Sequence, residues 1–150
     1  MRYPLGRQAV LLFSTNGTSF THTQNVKDVT LNLTKQEDDD TVRANGGWKS
    51  TIGTLKEGSL DFQVMSDGTD VFFLALQGSF FNDADLKIEA EAVKAGLTTG
   101  SKLSAWVTCV SLTRNENIGE AVKYQVSLKI ANPPAGLEAQ VPTWTTATTP

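Results

Sequence analysis

The sequence predicts a mainly β protein, a β-sandwich or open barrel of six or more antiparallel strands with one short α-helix. Three observations carry this. Most of residues 26–131 alternates apolar and polar side chains with a period of two, the pattern of strands with one buried face. The alternation breaks once, over residues 69–81, where apolar residues recur about every four positions. Gly, Asn and Pro punctuate the segments at short intervals, as they do in antiparallel sheets.

The elements follow in order. Residues 1–25 read as a weakly patterned arm containing the turn pair Asn16-Gly17. The first clear strand spans 26–34, with Val29, Leu31 and Leu33 on the buried side. An acidic loop, 35–47, ends in Asn45-Gly46-Gly47. A second strand, 48–54, places Trp48 and Ile52 on one side, and Lys56-Glu57-Gly58 suggests a hairpin turn. The third strand, 59–65, directs Leu60, Phe62 and Val64 inward. In the helix, 69–81, Phe72, Leu76 and Phe80 share a face. Thr69 stands at the cap and Asp70 at the positive end of the helix dipole. Gly78 costs that helix about 1 kcal/mol relative to alanine.

Strands resume at 86–93 and, after a turn at 95–101, at 102–114. The latter carries Leu103, Ala105, Val107 and Cys109 on one face and Trp106, Val110 and Leu112 on the other. The last strand, 121–131, alternates cleanly through Val126 and Leu128. The tail, 132–150, is rich in Pro and Thr and is expected to lack regular structure. The expected organisation is one domain of 150 residues, with an arm (1–25), a β core (26–131) and an irregular tail (132–150). The expected core includes Leu31, Leu33, Ile52, Leu60, Phe62, Phe72, Leu76, Val126 and Leu128.

Composition narrows function. The formal charge of −3 supplies no basic footprint for gripping phosphates, and Trp48, Trp106 and Tyr124 occupy core-like positions without a basic stripe. The single cysteine, Cys109, lies mid-strand with no histidine placed to activate it, and reads as a buried structural residue. The only histidine, His22, sits in a polar segment. No metal, phosphate or cofactor motif occurs, so neither an enzyme nor a bound cofactor is expected. The apolar run at 9–13 is too short for a signal-peptide core or a membrane span, and the Asn-X-Thr triplets at Asn16 and Asn32 read as chance matches. Glu37-Asp38-Asp39-Asp40 lacks the spacing and central glycine of a calcium loop. It reads either as a solvated loop or as a contact arm that orders against another subunit.

The stretch GGWKSTIGTLKEGSLDFQVMSDGTDVFFLALQGSFFNDADLKIEAEA is the most specific part of the chain. Its order is a Trp-bearing strand, a turn, GSLDFQV, a short helix with FFLALQGSFFN, and a further strand. It resembles phage tail tube proteins, also called major tail proteins. The resemblance continues in LSAWVTCVSLTRNENIGEAVKYQVSLKIA, through Leu112-Thr113-Arg114-Asn115-Glu116 and Gly119-Glu120-Ala121-Val122. It covers residues 26–131 in pattern and is best over 46–130.

The resemblance implies a tail-tube-like fold and a structural subunit. Such subunits form hexameric rings that stack into a hollow conduit through which DNA passes into the host without specific binding. The implied partners are further copies of the chain, with tape measure, tail terminator and baseplate proteins. The implied location is the virion tail, assembled in the host cytoplasm without membrane insertion. The loop at 35–47 and both termini would touch neighbouring subunits. Expected contact residues are Lys35, Glu37, Asp38, Asp39, Asp40, Arg43, Trp48 and Arg114. A lumen of acidic or near-neutral charge would let DNA slide. Competing readings are a head–tail connector, a decoration domain, or a bacteriocin or secretion tube subunit. A monomeric sandwich-type binding module follows, and an enzyme comes last.

Overall fold

The computed structural model describes residues 9–23, 25–65, 68–92 and 101–146. The expected turn at 95–101 lies outside them up to Ser101, as do Val93, residues 1–8 of the arm and 147–150 of the tail. In chain order the elements are β1 (Ala9–Ser14), β2 (Thr21–His22), β3 (Val26–Asp39), β4 (Thr51–Met65), α1 (Val71–Asn82), β5 (Leu86–Ala92), β6 (Ser101–Asn115), β7 (Lys123–Ile130) and β8 (Thr143–Thr145). The fold is mainly β with one short helix, as the periodicity requires. The strands form one antiparallel sheet in the order β2-β1-β5-β6-β7-β4-β3, and β8 also pairs with β6.

The sheet curls around its own core. Phe72 of α1 meets Phe13 of β1 at 4.9 Å and Phe62 of β4 at 5.8 Å between ring centroids. Those two strands lie on opposite flanks of the sheet order, so the helix closes the open side of a partial barrel. Leu60, Phe62, Val64, Leu86, Ile88, Val107, Val126 and Leu128 fill the interior from four strands. Phe73 adds a second contact, 4.3 Å from the Tyr124 ring. The buried Ser79 hydroxyl accepts the Cys109 N–H at 3.0 Å and ties the helix to β6.

Several expectations change. The arm contributes β1, whose Leu11 and Phe13 belong to the core, because the chain pairs there with β5 from Ala9↔Ala92 to Ser14↔Lys87. The tail contributes β8 against residues 102–104 of β6. The Lys56-Glu57-Gly58 turn does not form. β4 runs straight through it, because β3 continues to Asp39 and pairs along its length. The chain reverses instead between Asp39 and Thr51. The helix cap is Asp70 rather than Thr69, with no side-chain cap bond. Phe80 is exposed, and Phe73 and Ser79 take the buried positions beside Phe72 and Leu76.

Bulges explain the misassigned faces. An extra residue in β3 between Lys27 and Thr30, with Asp28 at φ 55°, leaves Val29 exposed. Leu31 packs against the core, but Leu33 is 53% exposed and Ile52 51% exposed, so these two are not core residues. Both lie where β3 and β4 run beyond the body of the sheet. A bulge in β6 between Cys109 and Ser111 rotates Leu112 onto the core side and leaves Val110 exposed.

Candidate assembly surfaces

β4 pairs with β7 only over 59–65, while its pairing with β3 continues to Thr51. The outer part of this hairpin therefore projects from the sheet by about 25 Å, at roughly 3.3 Å per residue. Every residue from 51 to 57 is exposed. Beyond β7, β4 is hydrogen-bonded on one side only, and β3 is an edge strand along its whole length. Such edges invite pairing with another chain.

The tip is held by its own side chains. Asp39 accepts hydrogen bonds from the Thr41 hydroxyl and, at 2.9 Å, from its N–H. The Thr41 hydroxyl accepts the Ser50 N–H at 2.8 Å. Thr41, through its side chain first and its backbone second, holds the Asp39 carboxyl below its ordinary pKa. A 3-10 turn, Arg43–Asn45, then reverses the chain through Gly46 and Gly47, both at positive φ. Trp48 follows at 80% exposure, so it is a surface residue and not a core-like one.

The hairpin gathers most of the expected contact residues: Lys35, Glu37, Asp38, Asp39, Asp40, Arg43 and Trp48. The acidic run is not a free loop. Glu37, Asp38 and Asp39 stand opposite Gly53, Ile52 and Thr51 in the ladder, so their side chains alternate between faces. Lys35 stands opposite Lys56, a like-charge pair. Gly53 leaves room for the Lys35 stem, whose Cδ lies 2.3 Å from where a Cβ would stand. Among the described residues, none of these charges has an ion-pair partner. Arg114 is elsewhere: it pairs with Tyr124 in the ladder, at the opposite end of the sheet, and bonds Glu116 at 3.0 Å.

A groove of about 510 Å³ opens beside the hairpin, lined by Leu33, Lys56, Leu103, Ile130, Pro142 and Trp144. Inside the sheet the cavity near Leu60 and Val107 is only about 20 Å³, room for one water. His22 is exposed on β2. Cys109 is buried, and burial raises its thiol pKa, partly offset by a backbone hydrogen bond at Ser111. Among the described residues no three metal-ligating side chains cluster, and no helix is long and apolar enough to cross a membrane.

On the outer face of the sheet, Trp106 is 1% exposed. Its indole N–H donates to Gln140 Oε1 at 3.0 Å, which also accepts from Lys87 Nζ at 3.2 Å. Gly17 packs on the ring at φ 82°; a Cβ there would lie 2.8 Å from the indole. This staple joins the arm and the tail to the sheet. The sequence pattern missed it because its parts are 34 and more residues apart.

No protein-family model and no curated protein matches the chain. Solved structures do. A chain in the tail of an empty gene transfer agent particle, refined with C6 helical symmetry, superposes with a TM-score of 0.71 at 12% identity, covering 95% of this chain and 98% of that one. The chain has a tail-tube fold. A chain of the SPP1 tail tube gives 0.68 at 11% identity, covering 95% of this chain and 79% of that one. A chain of the six-fold symmetrised anti-feeding prophage baseplate gives 0.69 at 8% identity, covering 97% and 98%. This fold leaves the projecting hairpin, the edge of β3 and the outer face of α1 on the surface of the isolated chain. An exposed helix face is the surface that reading by periodicity missed, although the sequence displays its signal: no charged residue from 71 to 82.

Proposed function

We propose that this chain is a structural, non-enzymatic subunit of a phage tail tube. Copies assemble into hexameric rings, and the rings stack into a hollow conduit that delivers DNA to the host. The observation that supports it most is a tail-tube fold spanning 95% of the chain, with a long hairpin whose edges are unpaired in one subunit. In a ring those edges become joints. Lys35, Glu37, Asp38, Asp39, Asp40, Arg43 and Trp48 belong to this joint, and Arg114 to a contact at the far end of the sheet. Tape measure, terminator and baseplate proteins meet the tube at its ends and in its lumen. The tube belongs to the virion tail and forms in the host cytoplasm. The net charge of −3 suits a lumen that DNA slides through.

The likeness to the anti-feeding prophage chain supports a second reading, a tube subunit of an injection particle other than a phage. Both readings are tested by concentrating the purified protein and following it by light scattering and negative-stain microscopy. The expected product is a hollow filament of uniform width. A protein that remains monomeric, or stops at one closed ring, contradicts the tube assignment. Particles that form without DNA-packaging partners in the source genome's tail cluster favour the second reading.

A further inference from the structure

Strand β8 continues the line of β7 along β6. Ile130 stands opposite Val107, and the Ala131 N–H still bonds the Trp106 carbonyl at 2.8 Å. The next pair is Thr143 opposite Ser104, followed by Trp144 opposite Leu103 and Thr145 opposite Lys102. Residues 132–142 therefore leave the ladder beside Trp106 and rejoin it almost where they left. The excursion makes its own turns, with the Leu137 N–H on the Pro134 carbonyl and the Gln140 N–H on the Leu137 carbonyl. Among the described residues, two hydrogen bonds tie it to the body, and both end on Gln140 Oε1.

The loop between β1 and β2, residues 15–20, meets the same groups. Gly17 packs on the Trp106 ring and on Gln140 Oε1, with no room for a Cβ between them. Lys87 Nζ, which donates to Gln140 Oε1, stands 5.9 Å from the Phe20 ring centroid. The two side chains that hold the tail amide thus also hold the loop. If the tail departs alone, the indole N–H and the Lys87 ammonium lose their shared acceptor under a loop that still covers them. If the loop departs alone, the indole ring and Gln140 lose the cover of Gly17, and Lys87 loses Phe20. Neither half-open state keeps the contacts of its remaining half.

We propose that the β1–β2 loop and the tail form one latch, which docks and releases as a unit while the barrel stays folded. Its opening bares Trp106 on the outer face and unpairs the edge of β6 at residues 102–104. The coupling is reciprocal, so whatever draws either segment off the sheet frees the other. The latch is a property of the single chain and stands independently of self-assembly.

The test is amide hydrogen exchange on the purified chain, read by mass spectrometry. The reporters are the Gly17 N–H, bonded to Ser14 Oγ at 2.9 Å, and the amides of β8. In the wild type both should share one opening free energy and one denaturant slope, and both values should lie below those of β7. Gln140→Leu removes the acceptor and should speed exchange about tenfold in both segments, the distant loop included. Gln140→Glu keeps an acceptor for the indole N–H and Lys87 and should exchange as the wild type does. Gly17→Ala acts from the other side and should speed β8 as well as its own loop. Gly119→Ala, with open space around its Cβ, should speed neither. Two different openings in the wild type, or one identical to that of β7, overturns the latch. So does a Gln140→Leu or Gly17→Ala chain that loosens only its own segment or neither, or a Gln140→Glu chain that exchanges like Gln140→Leu.

Discussion

Gly17 and Gly119 share nearly the same backbone conformation, φ 82° and 83°, but not the same surroundings. A Cβ on Gly119 meets nothing within 4 Å. A Cβ on Gly17 would stand 2.8 Å from both the Trp106 ring and Gln140 Oε1. Gly119→Ala should therefore cost only the left-handed backbone strain, about 1–2 kcal/mol. Gly17→Ala pays the same strain and must also displace a rigid, buried indole, which adds about 1–3 kcal/mol. The assay is chemical denaturation of both variants against the wild type, with unchanged m-values as the two-state control. The gap between the variants isolates the packing of the arm on Trp106. Equal losses would refute the staple and place the Asn16-Gly17 turn off the sheet.

Three further outcomes follow from the geometry. Phe72→Ala empties the contact between β1 and β4 and should cost about 3–5 kcal/mol, read as a lowered denaturation midpoint. Replacing residues 37–54 with Asn-Gly removes an almost wholly exposed hairpin end and should leave the melting temperature nearly unchanged while abolishing filaments under the microscope. Hydrogen bonds from Asn117 and then Lys123 hold the Glu120 carboxyl below its ordinary value of 4.5. A depressed carboxylate stabilises the fold above its unfolded pKa and loses that contribution as pH falls through the folded one. Glu120→Gln should therefore be the less stable protein at pH 7, with the small gap closing below pH 4.5, as measured by denaturation at both extremes.

The sequence pattern is most legible where strands are regular and half-buried. Leu60, Phe62, Val126 and Leu128 alternate without interruption, and they are where the alternation puts them. Reading fails at the bulges, because one inserted residue inverts every face after it: Val29 comes out and Leu112 goes in. It also fails for the projecting hairpin. There Leu33 and Ile52 satisfy the strand pattern but have no sheet to pack on, because β7 ends before reaching them. Pairing partners far away in sequence recruited β1 and β8, whose six and three residues are too short to announce themselves. The acidic run reads in sequence as a loop and not as a strand, since Asp and Glu disfavour sheets locally and only the partner strand holds them there.

The most direct test of the tube assignment is electron cryo-microscopy of the protein assembled from its purified subunits. The expected result is a hollow filament of stacked six-fold rings, with each projecting hairpin lying against a neighbouring copy. A filament of another symmetry, or one in which the hairpins point into solvent, would contradict it.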